Sequence, residues 1–138
     1  MNIFKFFRKK NKSITVQSIG ELKYHKSKIG STFYTYVENE KIGQNYELYI
    51  YSQLFKMPHE QVEYYNELVD NWDSLIEVIK VKVLKEKNLN LDKFTLKILG
   101  INEKGRDSYD AALVFTYKSL NFTVILQKFD ILEIGYNK

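Results

Sequence analysis

The residues of this chain that could perform acid–base or metal chemistry are few and far apart. Histidine occurs only as His25 and His59, which fall on different expected elements, so a histidine metal site or a catalytic triad lacks its partners. Cysteine is absent, which excludes a thiol nucleophile, a disulfide scaffold and Cys-ligated metal sites. The sequence therefore predicts no metal site and no cofactor.

A polar stretch, residues 102–110, is the next place where chemistry could occur. Asp107, Ser108 and Asp110 set carboxyl groups beside a hydroxyl, but no base accompanies the serine, so the stretch is typical of a turn. The six glycines are scattered and form no phosphate-binding loop. We therefore predict that the protein is not an enzyme and has no catalytic residues.

The strongest structural signal is an apolar stripe that predicts one long helix over residues 58–87. Its residues recur at steps of three and four, which is typical of a helix that buries one face: Val62, Tyr65, Val69, Trp72, Ile76, Ile79 and Val83. Pro58 suits the first helical position, and Asn88 is the expected stop. Such a helix would be about 45 Å long. A kink is an alternative, but the stripe keeps its phase through Asn71, so we expect one helix.

Strands are predicted on both sides of this helix. Residues 32–37 and 45–51 alternate in polarity around a loop that contains Gly43, which predicts a β-hairpin. Four more strands are expected at 94–101, 109–118, 122–127 and 129–134. The predicted fold is therefore α+β, with an antiparallel sheet of about six strands packed on one long central helix, in a single domain of residues 13–138.

Two surfaces of this fold are candidate partner-binding sites. The first is an acidic stripe about 160° around the helix from the apolar stripe, formed by Glu60, Glu63, Glu67, Asp70 and Glu77. It could dock a basic partner, or it could simply be a solvated face. The second is a tyrosine face on the hairpin, formed by Tyr34, Tyr36, Tyr49 and Tyr51. Tyrosine is enriched at interfaces, although cross-strand pairing alone also explains it.

The N-terminal segment, residues 1–12, is predicted to be short, basic and amphipathic. Ile3, Phe6 and Phe7 would share a helical face. The side chains that could touch an anionic membrane surface are Phe4, Phe6, Phe7, Lys5, Arg8, Lys9 and Lys10. The alternatives are a free tail or one helical turn against the domain.

The charge distribution argues against nucleic acid as a partner. Residues 1–12 carry five basic residues and no acid, and the rest of the chain carries 16 basic and 17 acidic residues, a net charge of −1. A nucleic-acid-binding domain should carry a basic face in its folded part. No apolar run is long enough to span a membrane, and no secretory signal is recognisable. We therefore expect a cytoplasmic protein, or one held peripherally at the inner membrane surface.

The order of elements resembles that of small bacterial domains of unknown function with a sheet–helix–sheet layout. The segments that carry the resemblance are MPHEQVEYYNELVDNWDSLIEVI, FTLKILGI, ALVFTYKS, FTVILQ and ILEIGY. Some of those families resemble immunity proteins of polymorphic toxin systems. The resemblance implies a non-catalytic bacterial protein that binds a protein partner, in one form a toxin that it inhibits. The alternative is a peripheral membrane-associated protein held by residues 1–12. The oligomeric state is open.

Overall fold

The structure is a computed structural model and describes residues 4–7, 13–27, 30–39, 42–53, 56–104 and 108–137. Nine strands and two helices occur in these ranges. In chain order they are β1 (Phe4–Phe7), β2 (Ser13–Val16), β3 (Gly20–Ser27), β4 (Gly30–Asn39), β5 (Gly43–Ser52), α1 (His59–Asp70), α2 (Trp72–Lys87), β6 (Thr95–Ile101), β7 (Ala111–Tyr117), β8 (Leu120–Gln127) and β9 (Asp130–Asn137).

All nine described strands belong to one mixed sheet whose spatial order is the same as the chain order. Every neighbouring pair is antiparallel except β5 and β6, which are parallel. A parallel pair needs a long crossover rather than a tight turn. Both helices lie in that crossover. The sheet therefore consists of two antiparallel meanders, β1–β5 and β6–β9, joined by α1 and α2.

Alternation along most of the strands, interrupted by three register shifts among the described pairs, produces one buried face, and both helices pack on it. In β7, Leu113 and Phe115 are fully buried, whereas Val114 between them is only half-buried. The indole of Trp72 from α2 lies 6.2 Å from the Phe115 ring, and Phe94 meets the same ring edge-on at 5.1 Å. The apolar core therefore lies between the helices and one side of the sheet, as the hydrophobic effect requires of a half-covered sheet.

The first helix is anchored by polar contacts as well as by apolar packing. The hydroxyls of Tyr46 and Tyr65 lie 2.5 Å apart in the core, and the side chain of Gln61 donates to the carbonyl of Tyr51 at 2.6 Å. Tyr64 donates to the carbonyl of Lys128. These bonds fix α1 against the end of β5 and the turn between β8 and β9.

The second helix is tied to the last strand at its C-terminal end. The Tyr136 hydroxyl donates to Glu86 at 2.8 Å, and the Lys87 ammonium lies 4.8 Å from the centre of the Tyr136 ring. The bond from Tyr136, together with Lys82, lowers the pKa of the Glu86 carboxyl. The helix ends at Asn88, which adopts a left-handed conformation with φ of 50°, as an αL stop should.

The predicted single central helix over residues 58–87 was wrong. The chain forms two shorter helices, of 12 and 16 residues, separated at Asn71. The backbone and side-chain nitrogens of Asn71 both donate to the carbonyl of Glu67, at 3.0 and 2.8 Å. Such side-chain competition with the backbone is the reason that asparagine disfavours helix interiors. Pro58 precedes the first helix instead of starting it.

The predicted sheet of about six antiparallel strands was also wrong. The described sheet has nine strands and is mixed, so the fold is α+β but mostly sheet. Residues 4–7, expected within a helical segment, form an edge strand that pairs with β2. The hairpin of β4 and β5 was predicted correctly, with Phe33 opposite Ile50.

Neither helix in the described part of the chain has the length and apolar content of a membrane span.

Candidate functional site

The acidic stripe is exposed, but the break at Asn71 divides it between two helices. Its first four residues lie on α1 and Glu77 lies on α2. Every member is solvent-exposed, and Glu77 pairs with Lys80 at 3.5 Å. Exposed ion pairs of this kind contribute little. Of its members only Glu60 borders a cavity, where α1 meets the strand ends, and the other four lie on the open, solvated surface of the helices.

The tyrosine face lies on the side of the sheet that the helices leave open. The side chains of Phe33, Leu48 and Ile50 point into the core, and those of Tyr34 and Tyr36 therefore point away from it. Tyr36 is 72% exposed and Tyr34 is 39% exposed. Because both helices pack on the opposite side, this face of β4 and β5 is open within the described residues.

Glu47 stands at the centre of the tyrosine face and organises it. Its Oε1 accepts hydrogen bonds from the hydroxyls of Tyr36 and Tyr49, each at 3.3 Å. The Tyr49 ring stacks on Tyr34, with the ring centroids 6.5 Å apart. Partial burial and the Glu47 carboxylate raise the pKa of the Tyr49 hydroxyl. The second carboxylate oxygen of Glu47 takes part in neither bond.

These side chains line an open groove of about 310 Å³. Strand β3 completes it with two charged residues, Glu21 and Lys23. With Glu47, the charged lining carries two carboxylates and one ammonium, a net charge of −1. A cation that entered the groove would meet aromatic faces as well as a carboxylate, and tyrosine faces attract cations through the ring quadrupole. We call this feature the tyrosine groove.

The open face continues beyond the tyrosine groove as an aliphatic surface that sequence reasoning missed. In the strand register, Glu47 is the neighbour of Ile98, and Ile98 is the neighbour of Val114. The next row of neighbours on the same face consists of Tyr49, Gly100, Ala112 and Ile125. The Tyr51 ring lies over Gly100: a Cβ added to this glycine would be 3.8 Å from the ring. The sequence contains a signal for this surface. The run Ala111–Tyr117 is apolar at nearly every position, which is typical of a strand with apolar side chains on both faces of the sheet.

A second cavity of about 260 Å³ lies where α1 meets the strand ends. Its polar lining includes Glu60, Tyr64, Asp110 and Lys128. Burial, and then the Asp110 carboxylate, raise the pKa of Tyr64 far above its ordinary value. Asp110 in turn accepts from the Lys128 backbone at 2.6 Å. Tyr64, the Lys128 backbone and Asp110 are therefore joined in one hydrogen-bond network at this cavity.

The two histidines lie on separate elements. His25 lies on β3 and His59 starts α1, and no three His, Asp or Glu residues in the described part of the chain are grouped so as to hold a metal ion. Of the predicted membrane-contact residues, Arg8, Lys9 and Lys10 lie outside the described residues, as does Asp107. Phe4, Lys5, Phe6 and Phe7 are in edge strand β1.

Comparisons with protein-family models, with curated proteins and with solved structures found no match to this chain. The likeness to immunity-type families is therefore a resemblance of element order alone.

Proposed function

We propose that the protein is a non-enzymatic interaction module that binds a basic segment of a partner protein through the tyrosine groove. The observation that carries the proposal is Glu47, a carboxylate held by two tyrosine hydroxyls on a sheet face that no described helix covers. An arginine or lysine side chain in the groove would pair with Glu47 and lie against the ring of Tyr34 or Tyr36.

The aliphatic part of the open face supports the same proposal. Ile98, Ala112, Val114 and Ile125 are half-buried side chains beside the groove. Interfaces commonly combine an apolar patch with a few aromatic or charged anchors. A partner whose basic residue enters the groove could cover this patch with its own apolar side chains. Inhibition of a toxin by covering a basic cleft would be one form of this binding, and it stays a prediction.

The groove can be tested directly with a small cation. N-acetylarginine amide, titrated at millimolar concentration, should shift the backbone NMR signals of β4 and β5 around Glu47. The citrulline counterpart has the same shape without the charge and should shift them much less. Equal shifts with both compounds, or shifts centred on α1, would contradict the proposed cation site.

The partner can be sought with matched variants in a pull-down from the native cell. Glu47→Gln and Tyr36→Ala should each reduce the amount of partner recovered. A loss of about 1.4 kcal/mol of binding free energy is enough to raise the dissociation constant tenfold. Glu63→Gln removes an exposed carboxylate elsewhere and serves as the control. A partner that is lost with Glu63→Lys or Asp70→Lys, but kept by the groove variants, would move the site to the acidic stripe.

The membrane alternative has no supporting observation in the described structure and stays a prediction. Its test is sedimentation with anionic and neutral vesicles, compared between the full chain and a chain that lacks residues 1–12. Anionic-specific binding that disappears with the deletion would support it. Groove variants should not alter that binding.

A further inference from the structure

The outer face of α2 carries an apolar row that nothing in the described structure covers. Val78, Val81 and Leu84 are 54%, 51% and 47% exposed. They follow one another at intervals of three residues, so they share one side of the helix, opposite the buried Ile79 and Val83. Most exposed positions on a surface helix are polar. Three half-exposed apolar side chains in one row therefore indicate a contact surface.

The charges on the same helix are arranged so that a second copy fits in only one orientation. Acidic Glu77 lies four residues before Val81, and basic Lys85 lies four residues after it. If two copies of α2 pack antiparallel with Val81 at the twofold axis, Glu77 of each copy is level with Lys85 of the other. Val78 is then level with Leu84. A parallel pair would set like charges side by side.

We propose that the chain self-associates through α2 as an antiparallel, twofold-symmetric helix pair centred on Val81. Such a contact is isologous and therefore closes at a dimer. The 16-residue helix is about 24 Å long. A contact limited to one helix of this length falls at the small end of interface sizes, so the dimer is expected to be weak and concentration-dependent. The surface is separate from the tyrosine groove, so the two can be occupied independently.

Sedimentation equilibrium of the full chain tests the apolar row. The average mass should rise towards that of a dimer as the concentration rises from about 5 μM to about 1 mM, because a weak contact is expected to have a dissociation constant within that range. Val81→Asp sets two carboxylates at the axis and should raise the dissociation constant by about tenfold or more. Leu132→Asp is the matched control, because Leu132 on β9 is 48% exposed. A monomer at all concentrations would overturn the proposal, and so would a dimer broken by Leu132→Asp but not by Val81→Asp.

Charge reversal tests the orientation. Glu77→Lys alone and Lys85→Glu alone should each weaken the dimer, because each sets like charges level with one another across the axis. The double variant Glu77→Lys/Lys85→Glu should restore the dimer to near its original strength. Failure of the double variant to recover, with helical content unchanged by circular dichroism, would exclude the antiparallel arrangement.

Discussion

At the scale of single residues, the fold depends on a few buried hydroxyls as well as on apolar contacts. Tyr46 and Tyr65 are 1% and 2% exposed, and their hydroxyls bond to each other. Desolvation by burial, and then the neighbouring Tyr65, raise the pKa of Tyr46 far above its ordinary value. No side-chain polar atom that is buried in the described structure is without a hydrogen-bond partner. Removing one hydroxyl of such a pair should therefore lower the free energy of unfolding.

Replacing Tyr46 with phenylalanine tests this pair. Tyr46→Phe removes one hydroxyl and takes a buried bond from Tyr65, so the free energy of unfolding should fall by about 1–3 kcal/mol. Urea denaturation followed by far-UV circular dichroism measures the change. Tyr36→Phe is the matched control on an exposed ring and should change it by less than about 0.5 kcal/mol. A double variant, Tyr46→Phe/Tyr65→Phe, should be less destabilised than the sum of the single variants.

Residue positions that depend on one strand alone were predictable, and those that depend on two elements were not. Alternation along the hairpin was enough to set Tyr34 and Tyr36 on the opposite face from Phe33. By contrast, Gln61 is polar and 6% exposed because it reaches the carbonyl of Tyr51. That carbonyl becomes available only where α1 passes the end of β5, and periodicity contains no such information.

At the scale of elements, the helical stripe was recognisable but its division was not. Trp72, Ile79 and Val83 are buried as the spacing required, whereas Val69 and Ile76 of the same stripe are only partly buried. The break at Asn71 keeps the phase of the stripe, so apolar periodicity cannot reveal it. Strands β2 and β3 were not among the six predicted strands because their apolar residues are few: Ile14, Val16 and Leu22 are their buried apolar positions. Short edge strands with polar outer faces give little alternation to detect.

The packing of α2 on the sheet can be tested at Trp72. The side chain is 3% exposed and lies 6.2 Å from the Phe115 ring. Trp72→Ala should lower the free energy of unfolding by about 3–5 kcal/mol, because it removes a large buried side chain and leaves a cavity. A thermal or urea melt measures the change. Ser74→Ala, at an exposed position of the same helix, is the control. An almost unchanged melt for Trp72→Ala would contradict the described core.

At the scale of the whole molecule, one sheet carries a covered face and an open face. Alternation of residue types assigns sides within the hairpin, but the continuity of the open face across β5 and β6 follows from a parallel pairing of strands far apart in the chain. No local pattern specifies which strands pair across a crossover. The aliphatic part of the candidate surface was therefore missed, whereas the tyrosine part was found.

One buried tyrosine and two partly buried ones predict a loss of stability in alkaline solution. Burial is the main cause of the raised pKa values of Tyr46, Tyr64 and Tyr136 in the folded chain. A tyrosine whose pKa is raised in the folded state contributes its full share to the free energy of unfolding below the unfolded-state pKa of about 10. That contribution is lost as the pH rises above this value. The free energy of unfolding should therefore decline above about pH 10. Tyr46→Phe should make the decline shallower. An equally steep decline in that variant would contradict the assignment to Tyr46.

The match between chain order and sheet order has a consequence for how the protein folds. Each antiparallel pair joins strands that follow one another along the chain, so both meanders can form from near neighbours. The parallel pair is different, because β5 and β6 are separated in the chain by both helices. They can pair only after this long segment has closed into a loop. We therefore expect the two meanders to gain structure early and the β5–β6 junction to form late. Since closure entropy grows only with the logarithm of length, an insertion before α1 should slow that last step only slightly.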